Sequence, residues 1–199
     1  MELDSGSAEY LARVLDVEGK IPKALDALGP MADRDVALID GALGLRARQL
    51  TDLGARVTLV GREGDGGFAA ADASADIVVA YWSAFRGAPA DEIEAARRLL
   101  RPGGRLLVVH DYGRDDISRM RGELPEYGDW SRRDGPFLRG GFKIRVLHCW
   151  WTFESLDAAR AFLADAFGDA GREAGQALTR PRLSYNVAVY HRTFGVAKA

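Results

Sequence analysis

Residues 36–61 read VALIDGALGLRARQLTDLGARVTLVG, and this stretch decides the fold. Residues 36–39 are an unbroken apolar run, as in a strand buried on both faces of a parallel sheet. Residues 40–44 interrupt it with Gly41 and Gly44, which permit a sharp turn and let backbone approach a ligand closely. Residues 45–53 carry helix formers, and Gly54 ends the helix as a left-handed cap residue does. Residues 57–60 read as a second buried strand. The unit is βαβ, with a right-handed crossover. In such sheets ligands sit at the carboxyl ends of the strands, where strand order reverses, so the turn at residues 40–44 is the first candidate site.

Working outward, residues 7–15 suit a short helix with Ser7 as N-cap. Residues 22–28 suit a second, opened by Pro22 and closed by Gly29 and Pro30. Residues 1–30 thus form a helical lead-in to one domain spanning 1–199. Beyond the βαβ unit, residues 62–76 are glycine-rich at first, with room for a turn or two of helix at 68–73. Residues 77–80 form a strand ending in Tyr81 and Trp82. A helix from Asp91 to about Leu100 places its acids early and its arginines late, which suits the helix dipole. Residues 101–104, Arg-Pro-Gly-Gly, turn the chain into a strand at 106–109. Residues 111–141 have weak periodicity, and a loop of that length is usually functional or a lid. Residues 143–152 read as a strand with Ile144, Val146, His148 and Trp150 on one face. Residues 155–167 form an amphipathic helix ended by Gly168, and residues 185–191 alternate as a final strand.

Composition narrows the function classes. The chain has 199 residues, enough for one well-buried domain, and a net charge of −2, so no global field favours nucleic acid or an anionic membrane. One cysteine, Cys149, excludes an internal disulfide and a cysteine-rich metal site, and fits a reducing cytoplasm. The polar, acidic N-terminus is not a secretory signal. No apolar run approaches membrane-spanning length.

The helix and strand around 95-AARRLLRPGGRLLVV-109, together with residues 44–60, resemble the class I S-adenosylmethionine-dependent methyltransferases of the small bacterial kind. The resemblance covers roughly residues 22–113 and implies an α/β, Rossmann-like methyltransferase fold. That fold has a mostly parallel sheet and a C-terminal antiparallel strand. Because residues 62–76 are too few for helix, strand and helix, the sheet should lack the family's third strand. The expected order is second, first, third, fourth, with the last two strands beyond. An outer strand at 57–60 would leave a sheet edge open, to be covered by residues 64–73, by the lead-in or by a second copy, most simply as a homodimer.

The resemblance also places the cofactor's methionine at the first turn and its ribose on an acid ending the second strand. Asp40, Gly41, Ala42, Gly44, Gly61, Arg62, Glu63 and Tyr81 stand at or beside those positions. This chain departs from the family there. Leu38 replaces the acid of the first strand, Asp40 and Ala42 replace two glycines, and Gly61 replaces the ribose-binding acid. A ribose diol needs a carboxylate to accept its two hydroxyl hydrogens, and Asp40 adds negative charge beside the cofactor's own carboxylate. S-adenosylmethionine is therefore expected to bind weakly or not at all, unless Glu63 or Asp40 takes over the missing contact. The function implied is a methyltransferase-like protein with an atypical cofactor site, or a non-catalytic relative used for binding or assembly.

Other readings compete. VALIDGAxG followed by LVGR faintly resembles a short-chain dehydrogenase opening, with Arg62 on a 2′-phosphate. The glycine spacing is short, however, and no Tyr-x-x-x-Lys follows. His110, Asp111 and Tyr112 end a strand at the ligand-facing edge. They are candidates for general base and for orienting an acceptor, set against a structural account in which Asp111 caps the next turn and His110 is a hydrogen-bonded neighbour. Tyr81 and Trp82 line a pocket or cover the core's rim. His148 and Cys149 alternate on a strand and cannot share a metal. Arg132, Arg133, Arg139, Lys143 and Arg145 surround Phe137, but Asp129 and Asp134 interrupt them, and a solvated loop is the simpler account.

Overall fold

The computed structural model describes residues 5–40, 44–64 and 67–195, with side chains from Tyr10 onward. In chain order the elements are α1 (Ser5–Val14), α2 (Lys20–Leu28), β1 (Asp35–Ile39), α3 (Leu45–Asp52), β2 (Arg56–Val60), β3 (Ala75–Tyr81), α4 (Ala90–Leu99), β4 (Leu100–Asp111), α5 (Asp116–Arg121), α6 (Pro136–Arg139), β5 (Lys143–Thr152), α7 (Leu156–Ala177) and β6 (Arg182–Thr193). The strands form one sheet in the order β2-β1-β3-β4-β6-β5. β1 through β4 are parallel, and β6 runs antiparallel to both β4 and β5. This is the α/β architecture expected, with its antiparallel last strand and no strand beyond β2 among the described residues.

The apolar runs of β1, β3 and β4 are buried because both sheet faces are covered. On one face Leu38, Val79, Leu107 and Val109 meet Leu25, Leu50, Ile117 and Leu163. On the other, Ile39, Val78, Leu106 and Val108 meet Phe68, Phe85, Leu99 and Phe137. Alternate residues of one strand thus serve two cores, and each fully buried Leu contributes roughly 2–5 kcal/mol relative to Ala.

Several local expectations change. β2 is mostly exposed, with Val60 its one buried residue and Leu59 58% accessible, because no strand lies beyond it among the described residues. Residues 68–73 contain no helix; Phe68 instead bridges back to Arg62 and fills the second core. The Arg-Pro-Gly-Gly sequence is not a connecting turn but a bulge inside β4. Pairing with β3 jumps from Ala75↔Leu100 to Ile77↔Arg105, and Gly103 N–H and Gly104 O bond across to Phe194. Residues 111–141 are no detached lid, since Ile117 of α5 and Phe137 of α6 are fully buried on opposite faces. On β5 the core face is that of Cys149 and Trp151, while the His148–Trp150 face is half-exposed. Trp151 meets Phe162 and Phe167 of α7 at 6.1 Å between ring centroids, the packing expected for this strand and helix.

The helix opened by Ser155, whose hydroxyl accepts the Ala158 N–H, does stop at Gly168, at φ 58° and ψ −129°, but a second arm continues to Ala177. At Gly168 an added Cβ would meet nothing, whereas at Gly171 it would lie 1.8 Å from the Leu163 carbonyl oxygen. No described helix is long and apolar enough to cross a membrane.

Candidate functional site

From β1 the chain passes through α3 to β2 on one side, then returns to β3 on the other. The carboxyl ends of β1 and β3 therefore flank a switch point, over which lie Asp40, Gly44, Tyr81 and Trp82, with Asp111 ending the neighbouring β4. Gly41 and Ala42 lie outside the described residues. Gly44 is exposed at the N-cap of α3, with φ 64°.

The β1/β2 side of this crevice is held by one arginine. Asp40, itself at φ 51°, donates its N–H to Val60 O at 3.1 Å. Its carboxylate accepts from Arg62 Nε at 3.2 Å, and Arg62 Nη1 donates to Glu92 Oε1 at 2.7 Å. Arg62 Nη2 reaches the Ser83 carbonyl oxygen at 3.2 Å, and the second Glu92 oxygen accepts the Phe85 N–H. Arg62, raised above its ordinary pKa first by Glu92, thus ties the turn after β1 to the loop after β3. Gly61 is exposed, and an added Cβ there would meet nothing within 4 Å. Glu63 is exposed, with its N–H on Gly67 O at 2.9 Å.

The β3/β4 side is built around Asp111. Its Oδ1 accepts from Trp82 Nε1 at 2.7 Å and from the Tyr185 hydroxyl, and its Oδ2 accepts from Arg121 Nη1 at 2.6 Å. The Asp111 side chain is 6% exposed and that of Arg121 20%. Burial raises the Tyr185 phenol well above its ordinary value, and Asp111 adds to the effect. Asp111 does not cap the following helix. Asp115 does, accepting the Ser118 N–H at 2.7 Å in a reciprocal capping box. Trp82 adopts φ 55°, a conformation a bulky residue reaches only when its surroundings hold it. The loop it opens has two more such residues, Phe85 and Ala88.

Arg46, from the first turn of α3, lies over the rings of Tyr81 and Trp82, 5.1 and 5.5 Å from their centroids. The Tyr81 hydroxyl is buried with no hydrogen-bond partner, as is that of Tyr127. Tyr112 donates its N–H to Asn186 O at 2.9 Å, and Arg114 lies over its ring.

His110, one residue from Asp111, belongs to the other face. It is 1% exposed, its Nε2 is 3.0 Å from Ala84 O, and Trp130 meets its ring edge-on at 4.9 Å. Burial, helped by Arg86, pushes its pKa down to about 4. The hydrogen bond to a carbonyl requires a proton on Nε2, so the ring is a neutral donor.

Four residues of this site, Arg46, Arg121, Tyr127 and Tyr185, carry no local sequence signal that sets them apart. His148 binds Asn186 rather than Cys149, with Nδ1 2.8 Å from Oδ1. No three His, Cys, Asp or Glu residues gather as metal ligands among the described residues. A separate cleft of about 710 Å³ lies between α5, the second arm of α7 and the strand ends at Trp150 and Leu183.

No protein-family model matches the chain, and no curated protein matches it. Solved structures do. A protein assigned as a type II methyltransferase from Anaeromyxobacter dehalogenans shares 18% identity over 89% of this chain and 97% of its own, with a TM-score of 0.56. A SAM-dependent methyltransferase from Aquifex aeolicus shares 14% identity over 96% of this chain and 98% of its own, with a TM-score of 0.55. A protein assigned as a methyltransferase from Bacillus halodurans shares 14% identity over 89% and 99%, with a TM-score of 0.51. The chain has the methyltransferase fold, as the residues around 44–60 and 95–109 imply; at these identities the likeness establishes the fold alone.

Proposed function

We propose that this chain is a methyltransferase-like protein whose S-adenosylmethionine site is weakened or lost. The observation that supports this reading most is the Arg62 bridge. At the position where the resemblance calls for a ribose-binding acid, Gly61 supplies no acceptor. The next residue spans the crevice and engages the carboxylates of both Asp40 and Glu92. Asp40 and Glu92 could receive a ribose diol only in competition with Arg62, and Gly61 offers no acceptor, so the residues at hand fit the cofactor poorly. Loss of one charged hydrogen bond weakens binding by about 1.5–3 kcal/mol, roughly one to two decades in affinity. Isothermal titration should show no saturable heat from S-adenosylmethionine at micromolar protein. Micromolar binding that Glu63→Ala abolishes would replace this reading with a displaced ribose clamp on Glu63.

A second reading, a non-catalytic protein used in assembly, is favoured by the open edge of β2, where Leu59 is 58% exposed. An antiparallel pairing of two copies about Thr58 sets Val57 opposite Leu59 and brings no like charges together. Sedimentation should then show a dimer that Leu59→Pro converts to monomer, because residues 56, 58 and 60 direct their backbone groups to β1 and the Leu59 N–H faces the open edge. A wild-type monomer at high concentration ends this reading.

A further inference from the structure

Arg46 is a half-buried cation with no ion-pair partner among the described residues. Its one polar partner among the described residues is Gln49, whose Oε1 lies 2.9 Å from Nη1. Otherwise the guanidinium rests on the faces of Tyr81 and Trp82. The acids that might neutralise it are committed elsewhere. Both oxygens of Asp16 accept N–H groups of α2, from Lys20 at 2.9 Å and Ile21 at 2.7 Å. Asp111 holds Trp82, Tyr185 and Arg121. Asp40 holds Arg62. Desolvation pulls the Arg46 pKa below its ordinary value, and the fields of Tyr81 and Asp16 offset that only in part. A charge kept in this position is costly unless something pairs with it.

The surroundings are fixed. Trp82 is anchored by Asp111 through its indole N–H, and its ring lies 5.9 Å from that of Tyr81. The Tyr81 hydroxyl is shut off from solvent with no partner. The guanidinium and the phenol both have protons left to donate, so what they lack is an acceptor. One uncompensated positive charge calls for a single negative charge. A planar pair of oxygens matches the guanidinium fork, and the aromatic shelf suits an apolar body.

We propose that Arg46, supported by the Tyr81–Trp82 shelf, binds the carboxylate of a small organic acid. This site does not depend on S-adenosylmethionine, and it is tested without it.

Benzoate and its neutral analogue benzamide are titrated separately into the full chain. The indole N–H resonance of Trp82, identified with Trp82→Phe, reports binding. Benzoate should shift that resonance saturably at roughly millimolar concentration, an affinity of about 4 kcal/mol. Benzamide should not shift it at the same concentrations. Arg46→Met should weaken benzoate about tenfold or more, the effect of losing a charged hydrogen-bond donor, and Tyr81→Phe several-fold. Equal shifts with benzamide, or benzoate binding unchanged in folded Arg46→Met, overturn the proposal. Inorganic phosphate competing as well as benzoate overturns the choice of a carboxylate. Competition by S-adenosylhomocysteine assigns the guanidinium to the cofactor and overturns it too. Should Arg46→Met fail to fold, the wild-type contrast between benzoate and benzamide decides alone.

Discussion

On the β1/β2 side of the crevice, Arg62 holds Asp40 and Glu92 where water still reaches it, its side chain 37% exposed. On the β3/β4 side, Asp111 holds an indole, a phenol and a guanidinium with 6% of its side chain exposed. Both are carboxylate–arginine arrangements at the same sheet edge. The first is a bridge at a surface, where solvent competes for each ion. The second has no solvent to fall back on, so removing one member strands the rest. The half resembling a cofactor site is thus the half that is easily rewritten, while the half facing the proposed acid is locked into the fold.

The sharpest break of that contrast is Asp111→Ala. It leaves Tyr185 buried and Arg121 half-buried without their acceptor and should cost about 3–5 kcal/mol in urea unfolding. A loss within 1 kcal/mol would mean that the buried network is no firmer than the surface bridge.

His110 extends the comparison to the opposite face. Its folded pKa is about 4 against an ordinary 6.5, lowered chiefly by burial. Between those values the unfolded chain binds a proton that the folded chain refuses. Stability therefore falls as pH drops from about 6.5 towards 4, by up to about 3 kcal/mol from this residue. In His110→Phe that component of the pH slope should vanish, read as the difference between wild-type and variant unfolding curves over the same range. An identical slope in the variant would show that His110 is not held neutral.

Gly61→Asp tests whether the weak half can be rebuilt. The position has room for a side chain, and an acceptor for a ribose diol should raise S-adenosylmethionine affinity by about one to two decades. Combining it with Arg62→Ala, which frees Asp40 and Glu92, sharpens the result. No gain in either variant would move the defect to the turn at Asp40.

The smallest effect belongs to Arg62→Ala alone. Its two ion pairs are partly exposed, and the expected cost is about 0–1 kcal/mol in the same urea assay. A cost matching that of Asp111→Ala would erase the distinction between the two halves.

The sequence makes the frame legible because the frame is local. The run at Val36–Ile39, the cap at Gly54 with φ 87° and the switch of period between them lie within one βαβ unit. Strand order follows from crossover rules and the short span between β2 and β3. What the pattern misses is what covers a strand: residues 57–60, Val-Thr-Leu-Val, are nearly as apolar as 36–39, yet only the latter have neighbours on both sides. Asp111 was visible as a strand-end acid, but its partner Tyr185 is 74 residues away and Arg121 ten. Nothing in the spacing joins them. Arg62, read as a 2′-phosphate ligand, gains its acidic partners only when the end of β1 and the first turn of α4 come together. Arg46 had no signal at all, since an arginine in a helix is ordinary until its counter-ion is sought and not found.

The bend at Gly168 separates two reasons for having glycine that are usually entangled. Space is free where an L side chain would start, so the obstacle to any ordinary residue is angular; at Gly171, three residues on, the obstacle is the Leu163 carbonyl oxygen. The mirror image of the Gly168 conformation falls in the extended region that ordinary residues favour. A D-alanine placed there by chemical synthesis therefore escapes the torsional penalty, while its L enantiomer meets that penalty and no clash. At that one α-carbon the chain has the handedness of the opposite amino-acid series, and the second arm of α7, with the cleft wall it forms, is aimed by it.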